Sequence, residues 1–192
     1  FVCANLEESQ AALDAIMGER RFGASGDHLV IEEFLEGEEV SFMVFSDGVK
    51  FLPMVPSQDH KAIHEGDHGP NTGGMGAYSI DAILSDDLRQ QILDEVIHPT
   101  IRGMSQEGRL YRGILYAGLM ITRDGPKVLE FNVRLGDPET QVVLPRLKSD
   151  LLTTLSQMAQ GDLKDVNLEW SAEAAVCVVI AAKGYPGSYE KG

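Results

Sequence analysis

Two hairpin signals constrain this chain more than any other feature. Val40 to Phe45 and Val49 to Val55 are β-prone runs on either side of Ser46-Asp47-Gly48. Ile114 to Thr122 and Lys127 to Val133 flank Arg123-Asp124-Gly125-Pro126 in the same way. Runs of this length joined by Asp-Gly turns pair antiparallel. Helical patterns lie around and between them. Asn5 with Glu8 reads as a cap pair before Leu6, Leu13, Ile16 and Met17, stopped by Gly18 and Gly23 to Gly26. Ser85 caps a helix with Leu88, Ile92, Val96 and Ile97 on one face; Pro99 interrupts it, and Ile101 and Met104 continue the face. Asp150 caps a third helix through Leu151, Leu152, Leu155 and Met158, ended by Gly161. Leu29 to Phe34 and Ala174 to Ala182 read as further strands, the second buried. The expected class is therefore α+β, a mostly antiparallel sheet with flanking helices.

Composition narrows the function classes. The 192 residues are 43% hydrophobic, enough for a core, so a disordered chain is excluded. Thirty acids against 16 bases give a net charge of −14, which repels phosphate backbones and speaks against nucleic acid as a partner. Cys3 and Cys177 form no disulfide framework and suit a reducing, cytoplasmic setting. The longest apolar run, Ala174 to Ala182, is far shorter than the roughly 20 residues of a membrane span, and no signal peptide is visible. The chain opens on Phe1 rather than Met and stops just after an expected strand, at Tyr189-Glu190-Lys191-Gly192. It reads as an internal piece of a longer protein.

Several stretches carry residues that can do chemistry. On a strand through Lys127 to Val133, Glu130 and Asn132 share one face, and Leu129, Phe131 and Val133 point to a core. A carboxylate and an amide oxygen so spaced either hold a hard cation such as magnesium or form an ordinary solvated face. Arg134-Leu135-Gly136-Asp137-Pro138-Glu139 follows at once, as a charged turn or as an extension of that site. Pro56 to Ala77 shows no period and reads as a long glycine-rich loop. Its Gly69-Pro70-Asn71-Thr72-Gly73-Gly74-Met75-Gly76 stretch is either flexible surface or a backbone cradle for an anion; no Gly-Lys-Ser/Thr follows as in a Walker loop. His60, His64 and His68 recur every four residues, but Gly66, Gly69 and Pro70 argue against the helix that would align them on zinc. The acidic run Glu32 to Glu39 is either a solvated charge cluster or a nucleotide site. In the second case backbone groups near Glu33 and Leu35 face a base, and a carboxylate takes ribose hydroxyls.

Taken together, these stretches resemble one family. Ile31-Glu32-Glu33-Phe34-Leu35-Glu36-Gly37-Glu38-Glu39, Ser57-Gln58-Asp59-His60-Lys61, Gly69 to Tyr78, Leu115-Tyr116-Ala117-Gly118-Leu119 and Glu130 to Gln141 are similar, in order, to segments of the phosphoribosylamine–glycine ligases (glycinamide ribonucleotide synthetases) of the ATP-grasp superfamily. The resemblance implies the ATP-grasp fold and ligation of glycine to 5-phosphoribosylamine through a glycyl phosphate, with ATP giving ADP and phosphate, in purine biosynthesis. It implies ATP contacts at Glu32, Glu33, Leu35 and Glu39, and Mg2+ (or Mn2+) on Glu130 and Asn132. Arg134 and Asp137 take catalytic roles. Substrate contacts fall on Asp59, His60, Lys61, Asn71, Thr72, Gly73, Met75, Gly76, Asp137, Pro138 and Glu139. Residues 1–30 would belong to the small ATP-grasp lobe, 31–165 to the large lobe, and 166–192 to the start of a C-terminal domain. The family's phosphate-binding glycine-rich loop and N-terminal substrate domain would precede Phe1, so the piece alone is expected to be inactive. Tyr116 to Met120 bears no acid, which leaves the ligands of a second metal open. The rival readings are another ATP-grasp carboxylate–amine ligase and a nucleotide-binding module without catalysis.

Overall fold

The computed structural model describes residues 1–66 and 68–189; Asp67 and the terminal Glu190-Lys191-Gly192 lie outside the described residues. The chain forms two compact units, Phe1–Glu36 and Gly37–Gly192. In the first, α1 (Leu6–Leu13) starts as the sequence predicts: the Asn5 side chain accepts from the Glu8 N–H at 2.9 Å, and Glu8 reaches back to the Ala4 N–H at the same distance. A π-helical turn, Asp14–Gly18, and a 3-10 turn, Gly23–Asp27, follow. Gly26 lies so close to the Ile16 carbonyl that a Cβ would come within 2.6 Å of it. The expected strand from Leu29 to Phe34 does not form; these residues join no ladder, and Val30, Ile31 and Phe34 are exposed. β-propensity alone makes no strand where the residues find no partner.

The second unit is built on two antiparallel sheets. One has the order β2 (Phe51–Pro53), β1 (Glu38–Ser46), β5 (Gly113–Thr122), β6 (Gly125–Asn132). These are the two predicted hairpins, joined through the β1–β5 pairing. The first turn is locked by Asp47, whose carboxylate accepts from the N–H groups of Val49, Lys50 and Leu163 at 2.7–2.9 Å. Burial alone would raise the Asp47 pKa, but those donors and nearby Arg112 outweigh it and hold it below the ordinary carboxylate value.

The second sheet corrects the sequence reading. Pro56 to Ala77 is not a loop: β3 (Gln58–His64) and β4 (His68–Ser79) form an irregular hairpin, and β7 (Ala175–Val178) pairs with the far edge of β4. The glycines serve close packing between strands. A Cβ on Gly76 would meet the Cys177 carbonyl at 2.6 Å, and one on Gly74 (φ +119°) would meet Pro138 Cδ at 2.5 Å. His64 and His68 face each other across this hairpin, and among the described residues no three His, Cys, Asp or Glu side chains cluster to hold a metal. The predicted strand at Ala174 to Ala182 is shorter and only half covered, since Val176, Val178 and Ile180 are exposed.

Helix α2 (Asp86–Ile92) starts on Ser85, whose side chain accepts from the Leu88 N–H at 3.2 Å. It runs through a π-helical turn, Leu93–Ile97, into α3 (His98–Gln106). Pro99 has no N–H to donate to the preceding turn, and the widened turn absorbs the defect instead of breaking the helix. Short α4 (Thr140–Val143) follows the loop after β6, and α5 (Leu151–Gln160) starts on Asp150 and ends at Gly161 in the left-handed region. β1 is buried on both faces. Val40, Phe42 and Val44 pack with Leu115, Ala117 and Leu119 against Ile92, Val96, Ile97 and Ile101. Met43 and Phe45 pack oppositely with Tyr116, Val142, Val143 and Leu163. No helix of the described residues is long and apolar enough to cross a membrane.

Candidate active site

The face of the first sheet that bears Met43 and Phe45 changes character along its length. Residues opposite one another in an antiparallel pair share a face, so the pairs Glu39–Met120, Ser41–Gly118 and Met43–Tyr116, continued by Gly118–Glu130 and Tyr116–Asn132, define one surface. At the Met43 and Phe45 end it is core. At the other end it carries Glu39, Ser41, Glu130 and Asn132. A bulge on β6 beside Gly118–Leu119 shifts the register there. Gly118 makes room for Glu130: a Cβ at that position would sit 3.3 Å from Glu130 Cγ.

Glu130 and Asn132 meet as the alternation predicts. The Asn132 amide donates to Glu130 Oε1 at 3.0 Å, and Glu130 is exposed on an edge strand. A carboxylate and a side-chain amide, adjacent and on an edge strand, offer the oxygen donors that suit a hard cation taking its remaining ligands from water and phosphate. The core assigned to the other face of this strand is not formed, for Phe131 and Val133 are exposed.

β3 brings a charge cluster to the same surface through the Ser41–Ser57 bridge. Lys61 Nζ lies 2.7 Å from Glu39 and 3.9 Å from Asp59. Burial alone would lower the Lys61 pKa, but its bond to Glu39 and the charges of Asp59, Glu39 and Glu130 raise it above the ordinary lysine value. The Asp59 side chain is only 7% exposed. Burial raises its pKa, with Glu139 and Glu39 adding to the rise against Lys61. His60 stacks on Tyr78 with ring centroids 5.9 Å apart.

The β4 residues form the opposite wall of the hairpin. Thr72 Oγ1 donates to the Lys61 carbonyl at 2.8 Å and accepts from the Gly74 N–H at 3.0 Å. The Gly73 N–H donates to Tyr185 Oη at 2.9 Å, and the Met75 carbonyl accepts from Val179. Gly76 pairs with His60 and Val178, and Asn71, paired with Ala62, is exposed. In the loop after β6, Arg134 is exposed and donates to the Leu135 carbonyl at 2.9 Å, and Asp137 accepts from the Gln141 amide at 2.8 Å. Pro138 is buried against Gly74. Glu139 is 3% exposed, and its carboxylate accepts from Ser41 Oγ at 3.0 Å and from the Tyr116 hydroxyl. Glu32, Glu33 and Leu35 belong to the first unit, in its stretch without helix or strand.

Sequence reasoning missed Ser41 and Tyr116. The signal was present: Ser41 is the lone polar residue in Val40-Ser41-Phe42-Met43-Val44-Phe45, a run otherwise fit for burial on both faces.

Its fold and its sequence family place the chain among the ATP-grasp proteins. The biotin carboxylase domain of Hydrogenobacter thermophilus 2-oxoglutarate carboxylase, solved with ADP, magnesium and bicarbonate, superposes with a TM-score of 0.63 over 92% of this chain and 37% of that one. At 14% identity the likeness is one of fold. More specifically, residues 1–140 match the phosphoribosylglycinamide synthetase, ATP-grasp (A) domain, and the chain belongs to that family. It is 56% identical to the phosphoribosylamine–glycine ligase of Halalkalibacterium halodurans over 186 residues, 97% of this chain and 43% of the relative. The crystal structure of the Thermotoga maritima phosphoribosylamine–glycine ligase covers 97% of the chain with a TM-score of 0.82 at 36% identity, this chain matching 47% of it. The chain thus spans about half the length of such relatives.

Proposed function

We propose that this chain supplies the nucleotide and metal side of a phosphoribosylamine–glycine ligase. In that reading ATP phosphorylates the carboxylate of glycine, and the amine of 5-phosphoribosylamine attacks the glycyl phosphate, releasing phosphate and giving glycinamide ribonucleotide for purine biosynthesis in the cytoplasm. Residues 1–30 then serve the small lobe, 31–165 the large lobe, and 166–192 lead into a C-terminal domain. Glu32, Glu33 and Leu35 meet the adenine, and Glu39 holds the ribose. Glu130 and Asn132 would hold Mg2+ (or Mn2+), which would supply positive charge against the ATP phosphates. Arg134 faces the transferring phosphoryl group, where a cation already in place lowers the barrier by stabilising the charge that develops in the transition state. Asp137 and the residues of β3 and β4 position glycine and the amine.

The observation that best supports the reading is the meeting of Glu130 and Asn132, 3.0 Å apart, on the face that also carries Glu39 and Lys61. The test is Glu130→Gln in the full-length parent, which removes the charge but not the shape. Glycine-dependent ADP formation should fall at least about a hundredfold. Turnover near wild type at ordinary magnesium sinks the assignment. Turnover dependent on another carboxylate substrate, with glycine inert, points instead to a different ATP-grasp ligase.

A further inference from the structure

Glu139 was expected at the substrate, yet its carboxylate is turned inward. It lies between three pieces of the second unit. Above it is the backbone of the loop after β6: a Cβ on Gly136 would lie 2.5 Å from a Glu139 carboxylate oxygen, so the loop lies directly on the acid and a side chain there would displace it. Below it are β1 and β5, through Ser41 Oγ at 3.0 Å and the Tyr116 hydroxyl, with those two hydroxyls 2.7 Å apart. Two hydroxyl protons and one carboxylate make a closed set, buried where water does not compete. Burial and the bond to Glu139 hold the Tyr116 phenol above its ordinary pKa, so it stays a donor.

The two ends of this set reach opposite sides of the proposed site. Tyr116 is paired with Asn132 across the ladder, and its ring edge shares with Glu130 the space that Gly118 leaves open, 3.9 Å and 3.3 Å from a Cβ placed there. Glu139 ends the segment that bears Arg134 and Asp137. Its far flank is fixed as well, by Pro138 against Gly74 on β4. The sheet and the loop therefore have a buried carboxylate as their common reference point.

We infer that Glu139, held by Ser41 and Tyr116, is a positioning residue that sets the Arg134–Asp137 loop against the Glu130–Asn132 strand. It does so without touching substrate. The inference rests on the ligase reading and assigns within that site a role to Ser41, Tyr116 and Glu139 that contact with substrate does not explain. Misplacement of a cation by about 1 Å costs on the order of a hundredfold in rate, whereas nucleotide binding through adenine and ribose does not depend on this loop.

The test uses the full-length parent with Tyr116→Phe, Glu139→Gln and the double variant, assayed for glycine-dependent ADP formation. Each single variant should lower kcat about tenfold or more while leaving KM for ATP, glycine and the amine within about threefold. The double variant should be no worse than about threefold below the poorer single, because the two act as one unit. Glu139→Ala should fall further than Glu139→Gln, which keeps the volume and an acceptor. If Tyr116→Phe loses its native melt, Glu139→Gln with Ser41→Ala carries the same comparison. A rise of tenfold or more in KM for glycine or the amine, with kcat kept, makes Glu139 a direct binding residue and overturns the inference. So does unchanged kcat, or full additivity in the double variant. A wild-type parent that shows no glycine-dependent turnover sinks the ligase reading itself; a wild type that turns over with unaffected variants sinks only the inference.

Discussion

Replacing Arg146 by Met removes a charged head from the most buried arginine of the second unit and keeps most of its stem. The side chain is 2% exposed. Nε and one terminal nitrogen donate to the Ser171 carbonyl at 3.2 and 2.9 Å, and the other terminal nitrogen donates to Ser79 Oγ at 2.8 Å. The remaining contact is the ion pair with Asp81 at 2.6 Å, but Asp81 is 68% exposed. Hydrogen bonds of this kind contribute about 1 kcal/mol net each, so the neutral acceptors account for about 3 kcal/mol. A pair with one partner in water adds about 0–1 kcal/mol. At about 2–4 °C per kcal/mol, the loss of about 3–4 kcal/mol in Arg146→Met should lower the melting transition of this unit by about 6–16 °C. Asp81→Asn should move it by no more than about 4 °C. Scanning calorimetry of the full-length parent and both variants measures the difference. Equal shifts in the two would refute the reasoning, for the ion pair and not the buried acceptors would then hold the segment after Trp170 to β4.

Gly74→Ala forces a side chain into a positive φ and onto Pro138, so it should cost about 2–5 kcal/mol and lower kcat more than a surface substitution of equal stability cost; an unshifted melt and full turnover would contradict it. Asp59 has a pKa raised above its ordinary 3.8, so the ionised form costs stability in the folded state, and that cost appears as pH rises above 3.8 and through the folded value. Asp59→Asn should therefore gain in melting temperature over wild type as pH rises from about 3 toward neutrality; a gap that narrows over that range would reverse the sign. Arg134→Lys keeps the charge but loses the planar fork and should not restore the glycine-dependent rate; wild-type turnover would make Arg134 a surface charge.

What the sequence made legible was local. Asn5, Ser85 and Asp150 cap the helices they precede because a cap is chemistry within a few residues. The Ser46-Asp47-Gly48 and Arg123-Asp124-Gly125 turns join the hairpins they announce for the same reason. Glu130 and Asn132 share a face by alternation alone. The second sheet was hidden because its glycines carry no β signal; their purpose is close approach to Cys177 and Pro138, residues far along the chain. Leu29 to Phe34 has strand composition and no partner within its unit, and Phe131 and Val133 are apolar on an edge, so pattern without pairing misled in both places. Glu139 sat in the right segment, but which way a glutamate points depends on what lies under it, and Ser41 is 98 positions away.

The convergence on Ser41 also bears on the order of folding. Its backbone bridges to Ser57, and its side chain reaches Tyr116 and Glu139, so four stretches of chain must already be in register before that one residue is satisfied. Closing loops of this length costs conformational entropy that later contacts must offset, and sheets of high contact order form slowly. The polar end of the face is therefore expected to assemble late, after β1 and β5 have zipped around the apolar residues they share. A chain slowed in that zipping would display its helices and hairpins long before it could bind anything, and helical content recorded during refolding would recover ahead of nucleotide affinity.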